Sequence, residues 1–242
     1  MIKRFITYLC EALGLGVFMI SATLATVLIE HPYFHVHDII KNEFLCRLII
    51  GISMGLTAFY ILNSPFGKRS GAHINPSVTI VQYRLGNING IDAFFYILFQ
   101  FLGGTAGVYL IYLLLPRYVA DSSVNYIVTI PSAAGVAVAF ILELLISFLL
   151  ITTVLYSNTN KSLSRYTASF VAILIALFIA FEAPSSGMSM NPARTFSSAL
   201  VSGEWNSFWL YCTAPPLGMI CGELFITRIL KLKLPKVSLH ND

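Results

Sequence analysis

Apolar residues along this chain gather into six long windows, at Phe5–Ile29, Phe44–Leu62, Ile91–Leu115, Ala133–Tyr156, Tyr166–Ala183 and Phe208–Leu230. Each is bounded by polar, proline-bearing or glycine-bearing sequence, and about 20 mainly apolar residues suffice to cross the hydrocarbon of a bilayer as a helix. The first window follows Lys3 and Arg4 in the manner of a secretory signal. It is too long for one, contains Glu11 and lacks a small-residue cleavage site, so it is read as the first span. Two connections depart from the pattern. His73–Gln82 and Met188–Val201 are too apolar for loops and too short to span, which predicts re-entrant half-helices. Irregular backbone at membrane depth is tolerated only where protein buries it or where it lines a wet cavity.

The two short segments are copies of one another. Ser70-Gly71-Ala72-His73-Ile74-Asn75-Pro76-Ser77-Val78-Thr79 matches Ser186-Gly187-Met188-Ser189-Met190-Asn191-Pro192-Ala193-Arg194-Thr195, an offset of 116 between Asn75 and Asn191. Leu102-Gly103 and Gly107 recur as Leu217-Gly218 and Gly222, and Glu11 in the first span has a counterpart in Glu143 in the fourth. Each half therefore holds three spans and a half-helix. Three is odd, so the second half enters the membrane inverted, and broken elements in an inverted repeat point to a permeation site where the repeats meet. The small-xxx-small pairs Gly51/Gly55, Gly103/Gly107 and Gly218/Gly222 let helices approach closely.

Composition agrees with this reading. Of 242 residues, 57% are hydrophobic and 11% charged, against about 25% charged in soluble domains. A soluble enzyme, a nucleic-acid binder and a disordered scaffold are excluded. The expected organisation is one transmembrane domain over 1–242, with repeat 1 over about 5–115 and repeat 2 over about 133–230. Eleven of the fifteen Lys and Arg residues, Lys236 among them, fall on the side of the N-terminus. The positive-inside rule then puts both termini in the cytoplasm of a multi-pass cell-membrane protein. Cys10, Cys46, Cys212 and Cys221 lie in apolar stretches and imply neither a disulfide nor a zinc site. The irregular cluster His31, His35, His37 and Asp38 in the first outer loop reads as solvated loop, and no metal or cofactor is expected.

The Asn-Pro boxes carry the chemistry. Proline is favoured at the first helical position, which makes Asn75 and Asn191 helix N-caps ahead of Pro76 and Pro192. After capping through its oxygen, an Asn still has an NH₂ with two donors. Two half-helices meeting at mid-membrane would aim both amides and both positive dipole ends at one point. A water there turns its oxygen to the Asn pair, which breaks donor alignment along a file of waters and disfavours cations. The Ser-Gly segments before each Asn are expected to be extended, with carbonyls turned into the pore. Arg194 stands where its repeat mate is Val78, and an intramembrane charge is costly and usually faces a wet cavity. The Ser77 hydroxyl is expected to bond back to its own helix, and Glu182 either to brace a loop or to sit at the interface.

Two Asn-Pro-small boxes, one in each half, with Arg after the second, resemble the aquaporin superfamily of water and small-solute channels. The resemblance rests on Glu11, Ser70–Thr79, Gln100–Gly104, Glu143 and Ser186–Thr195 and covers nearly the whole chain. It implies an all-α fold of six transmembrane helices plus two re-entrant half-helices in an inverted 3+3 repeat, assembled as a homotetramer. It makes Arg194 the filter arginine near the outer mouth, with Ile179, Met188 and Met54 in the same constriction. Glu11 and Glu143 are implied to support the loops Gly71, Ala72, His73 and Gly187, Ser189 from behind the pore wall. Three positions depart from the family's usual patterns. Water-selective members commonly have His and Phe where Ile179 and Met54 fall, and glycerol-conducting members usually have Asp where Thr195 follows Arg194.

The expected activity is passive, proton- and ion-excluding passage of water. A facilitator of small neutral solutes such as glycerol or ammonia is the alternative, and a coupled secondary transporter using Glu11, Glu143 and Glu182 a remote one. No nucleophile–base pair or metal set converges, so no enzyme is expected.

Overall fold

The computed structural model describes residues 2–234; Lys236 lies outside them. Six long helices and two half-helices organise the chain. In chain order they are α1 (Ile2–Glu30), α2 (Glu43–Asn63), the half-helix α3 (Pro76–Arg84), α4 (Gly90–Leu114), α5 (Val136–Asn158), α6 (Thr167–Phe181), the half-helix α7 (Pro192–Ser202) and α8 (Phe208–Leu224). Among the described residues, α1, α2, α4, α5 and α8 are long and apolar enough to cross a membrane, and α6 is a shorter apolar helix. The lipid-facing surface is apolar, as Leu9, Leu13, Leu24 and Leu28 along α1 illustrate, whereas Glu11, Gln100 and Glu143 are fully buried. That is the distribution a bilayer selects, because a polar group facing hydrocarbon lacks a partner.

Helix pairing follows the repeat. α1 packs on α4, the matching α5 packs on α8, and α2 packs on its own counterpart α6. The contacts are close because glycine removes the side chain at the crossing. A Cβ on Gly103 would lie 2.0 Å from the Ala12 carbonyl oxygen, and one on its mate Gly218 would lie 2.2 Å from that of Leu144. Gly51 and Gly55 meet the carbonyls of Ala176 and Ala172 in the same way.

Four elements differ from the sequence expectation. The fifth span, expected over Tyr166–Ala183, is a 15-residue helix, about 22 Å long at 1.5 Å per residue. It stops before Pro184, which cannot continue the hydrogen-bond ladder, and the chain goes on as a short turn over Ala183–Ser186. The last span is α-helical only to Leu224 and continues as a π-helical turn over Phe225–Ile229. Both half-helices begin at the proline, not at His73 or Met188, because the residues before it are held in non-helical conformations.

Candidate functional site

Each re-entrant loop starts from a helix end. Ser70 and Ser186 close short helical turns, Pro65–Ser70 and Ala183–Ser186, so the Ser-Gly steps are helix ends and not the extended segments the sequence suggested. Gly71 and Gly187 follow with φ of 83° each, the left-handed cap conformation that glycine adopts without strain. The next residues repeat the same unusual path. Ala72 and Ile74 have φ of 47° and 41°, and their mates Met188 and Met190 have φ of 49° and 54°. A left-handed non-glycine residue costs roughly 1–2 kcal/mol, so each loop requires strong outside support.

Buried carboxylates give that support. Glu11 Oε1 accepts from the His73 N–H at 3.0 Å and Oε2 from the Ile74 N–H at 2.6 Å. Glu143 Oε1 accepts from the Ser189 N–H at 2.6 Å and Oε2 from the Met190 N–H at 2.8 Å. The Tyr96 hydroxyl donates to the Ser70 carbonyl at 2.9 Å, and the Tyr211 hydroxyl to the Ser186 carbonyl at 2.5 Å. The hydroxyls of Ser70 and Ser186 each accept from the N–H two residues on, at 3.1 Å. Glu182 stays apart. Both its oxygens are buried without a hydrogen-bond partner, and the Ser186 hydroxyl beside it donates to Glu143.

At the meeting point the two asparagines cap as the sequence indicates. Asn75 Oδ1 accepts from the Ser77 N–H at 2.8 Å, and Asn191 Oδ1 accepts from the N–H groups of Ala193 at 3.0 Å and Arg194 at 3.3 Å. Their amides are not wholly free. Asn75 Nδ2 donates to the Met190 carbonyl and Asn191 Nδ2 to the Ile74 carbonyl, each at 2.8 Å. One N–H of each pair therefore ties the opposite loop, and one remains for the cavity, not two. Ile74 and Met190 are held from both sides, by the glutamate of their own half and the asparagine of the other. The Ser77 hydroxyl does not bond back to its helix; it is buried with no partner.

A cavity of about 680 Å³ runs past this point, from Glu30 and Arg47 at one end to Leu62 and Asn158 at the other. Gly71, Ala72, His73, Asn75, Gly187, Met188, Ser189, Asn191 and Arg194 line it, as do Met54 and Ile179. Pro76, Pro192, Glu11 and Glu143 are not in its wall. Arg194 Nη1 donates to the Ile127 carbonyl at 2.7 Å. The histidines between α1 and α2 each meet a different carboxylate, His31 with Asp121, His35 with Asp38 and His37 with Glu30.

Sequence reasoning missed Tyr96 and Tyr211, the serine hydroxyls, and the segment carrying Ile127. The tyrosine pair was legible, since 96 and 211 differ by the same 115 as Leu102 and Leu217. The Ile127 carbonyl has no sequence signature.

Comparison with known proteins agrees with this architecture. The chain is 30% identical over 181 residues to aquaporin-4 of Bos taurus, a match spanning 74% of this chain and 55% of that protein. It is 31% identical over 175 residues to the probable aquaporin NIP7-1 of Arabidopsis thaliana, spanning 72% and 61% respectively. The chain thus spans little more than half the length of these curated relatives. Its fold matches the X-ray structure of the aquaglyceroporin from Plasmodium falciparum with a TM-score of 0.80 at 20% identity, over 94% of this chain and 97% of that one. The family model for major intrinsic proteins matches residues 2–226. Two mutually tied Asn-capped loops, an apolar exterior and a match across nearly the whole sequence lead to one conclusion: the chain belongs to the major intrinsic protein family.

Proposed function

We propose that the chain forms a passive channel for water that excludes protons and ions. The observation that carries this reading is the cross-tie of Asn75 and Asn191, which leaves one amide N–H of each to face the cavity. A water at that point accepts from both asparagines, so its own hydrogens turn outward and a proton cannot be handed through. The half-helix N-termini add positive potential that opposes cations. Carbonyls of the non-helical stretches Gly71–Ile74 and Gly187–Met190 supply acceptors along the rest of the path. In this reading Arg194, Met188, Ile179 and Met54 form the selectivity filter, and Glu11 and Glu143 hold the loops. The whole chain acts as one channel domain, assembles as a homotetramer and keeps both termini in the cytoplasm.

A second reading, passage of a small neutral solute such as glycerol or ammonia, is favoured by the filter side chains. Three of the four, Met54, Ile179 and Met188, are apolar, and methionine is flexible enough to admit a larger molecule. Stopped-flow light scattering of proteoliposomes under water, glycerol and ammonia gradients decides between them. Water permeability well above that of protein-free vesicles, with no proton flux, is the expected result. Accumulation of solute against its gradient would refute a channel and favour a coupled transporter.

A further inference from the structure

Carboxamides meet the cavity a second time, away from the Asn pair. Gln82 near the end of α3, Asn87 just after it, Asn158 at the end of α5 and Thr167 at the start of α6 all line its wall. Helix direction puts them at one mouth, together with Leu62 near the end of α2. Their side chains are tied in pairs. Asn87 Nδ2 donates to Gln82 Oε1 at 2.6 Å, and the Asn87 N–H donates to the Gln82 carbonyl at 3.0 Å. The Thr167 hydroxyl donates to Asn158 Oδ1 at 3.2 Å and lies 2.8 Å from the hydroxyl of the buried Ser157. Both amide oxygens are thereby engaged. Gln82 Nε2 and Asn158 Nδ2 donate to no protein atom among the described residues, and neither is sealed from the cavity. Gln82 follows Asn75 by seven residues, so these donors lie about 10 Å from the midpoint along α3. The acidic and basic side chains among the described lining residues are Glu30, Arg47 and Arg194, and none is on a helix end that forms this mouth.

We propose that Gln82 and Asn158 form a hydrogen-bonding subsite for neutral solutes with accepting oxygens, polyols and urea, and set how readily such a solute crosses this mouth. The proposal rests on the second reading above, passage of a small neutral solute, and narrows it to molecules with hydroxyl or carbonyl oxygens. Leu62, Val154 and Val171 make the wall beside the two amides apolar. A solute leaving bulk water there gives up hydrogen bonds, and a bond left unmade costs more than a made one gains. The two NH₂ groups replace what is lost. Their oxygens are already engaged, so little side-chain freedom is lost when a solute arrives. Being neutral, they release the solute again. Glycerol or urea gives up more bonds than a water molecule does, so it depends more on the subsite. Ammonia, small and with a single accepting lone pair, depends on it no more than water.

The test compares Gln82→Met and Asn158→Leu, which remove the NH₂ donors at similar volume, with Asn158→Gln, which keeps a carboxamide. Each is assayed in proteoliposomes at matched protein incorporation, by stopped-flow light scattering under glycerol, urea and osmotic gradients. The glycerol-to-water and urea-to-water permeability ratios are expected to fall about threefold or more in Gln82→Met and Asn158→Leu, and to stay near wild type in Asn158→Gln. In an Arg194→Val background the same proportional fall is expected, since the two places share no partner. Unchanged ratios, equal losses of water and solute permeability, or a fall that vanishes in the Arg194→Val background overturn the subsite. Should Asn158→Leu fail to insert, Gln82→Met decides alone by the same ratios. A wild-type protein that passes water but neither glycerol nor urea would instead refute the small-solute reading, and the subsite with it.

Discussion

In the first half of the molecule Thr79 is held by Gln100, whose Nε2 donates to it at 3.0 Å from the middle of α4. In the second half the matching Thr195 is held by Thr129, which stands on a connecting segment. The reason lies in the sequence: the position in α8 that corresponds to Gln100 is Pro215, which has neither an amide side chain nor a backbone donor. A partner on a packed helix is fixed by the helix, and Gln100 is doubly fixed because its Nε2 also donates to Glu11 at 2.7 Å. A partner on a loop can change without disturbing the bundle. The supports common to both halves, a glutamate, a serine hydroxyl and a tyrosine, act behind the loops. Two of the differences, Val78 against Arg194 and His73 against Ser189, fall on cavity-lining positions.

The sharpest way to break this comparison is to remove the shared supports. Glu11→Ala and Glu143→Ala each orphan two backbone N–H groups in left-handed loops. An unsatisfied buried donor costs about 1–3 kcal/mol, so each variant is expected to lose several kcal/mol and most of its folded protein. Thermal denaturation followed by size-exclusion chromatography measures the loss. If one variant survives while the other collapses, the two loops are not equivalent in what holds them.

Arg194→Val, which gives the second half the residue of the first, is expected to act on selectivity while leaving the fold intact. Removing a barrier contribution of about 1.4 kcal/mol raises a rate tenfold, and urea or glycerol permeability is expected to rise on that scale. Unchanged urea and proton permeability would show that the arginine is not part of the filter. Asn191→Asp is expected to be milder in permeation and worse in stability. It replaces the donor to the Ile74 carbonyl with a carboxylate facing that oxygen, and it brings a negative charge to the midpoint. Cation conductance in planar bilayers should increase; conductance at the wild-type level would reduce the Asn pair to helix caps.

Much of this is legible in the sequence. A bilayer imposes a length and an apolar composition on every span, and a duplicated Asn-Pro box in inverted halves leaves little choice of where the half-helices meet. Glu11 and Glu143 stood out because a charge in an apolar helix requires a partner. The remaining features depend on backbone atoms. That the Asn amides tie the opposite loops depends on the left-handed Ile74 and Met190, which present their carbonyls across the pore. That Arg194 leans on Ile127 depends on three left-handed residues in a row, and Asn-Tyr-Ile gives no hint of them. For Glu182 the sequence left a loop brace and an interface position both open, and in the structure both its carboxyl oxygens are buried without a hydrogen-bond partner.

The smallest expected effect concerns a position where the halves differ away from the cavity. Ser77 is fully buried and its hydroxyl has no hydrogen-bond partner, whereas its mate Ala193 is equally buried and has no polar atom to satisfy. A hydroxyl buried without a bond costs about 1–3 kcal/mol by mutational measure. Ser77→Ala is therefore expected to stabilise the protein by up to about 1 kcal/mol, the small cavity it leaves offsetting part of the gain. Ala193→Ser should lower stability by a similar amount or more, because it adds both bulk and an unsatisfied group. Both shifts can be read as apparent melting temperatures in one detergent. A loss of stability in Ser77→Ala would mean that the hydroxyl finds a partner in the membrane-embedded protein, and the first loop would then have a support that the second lacks.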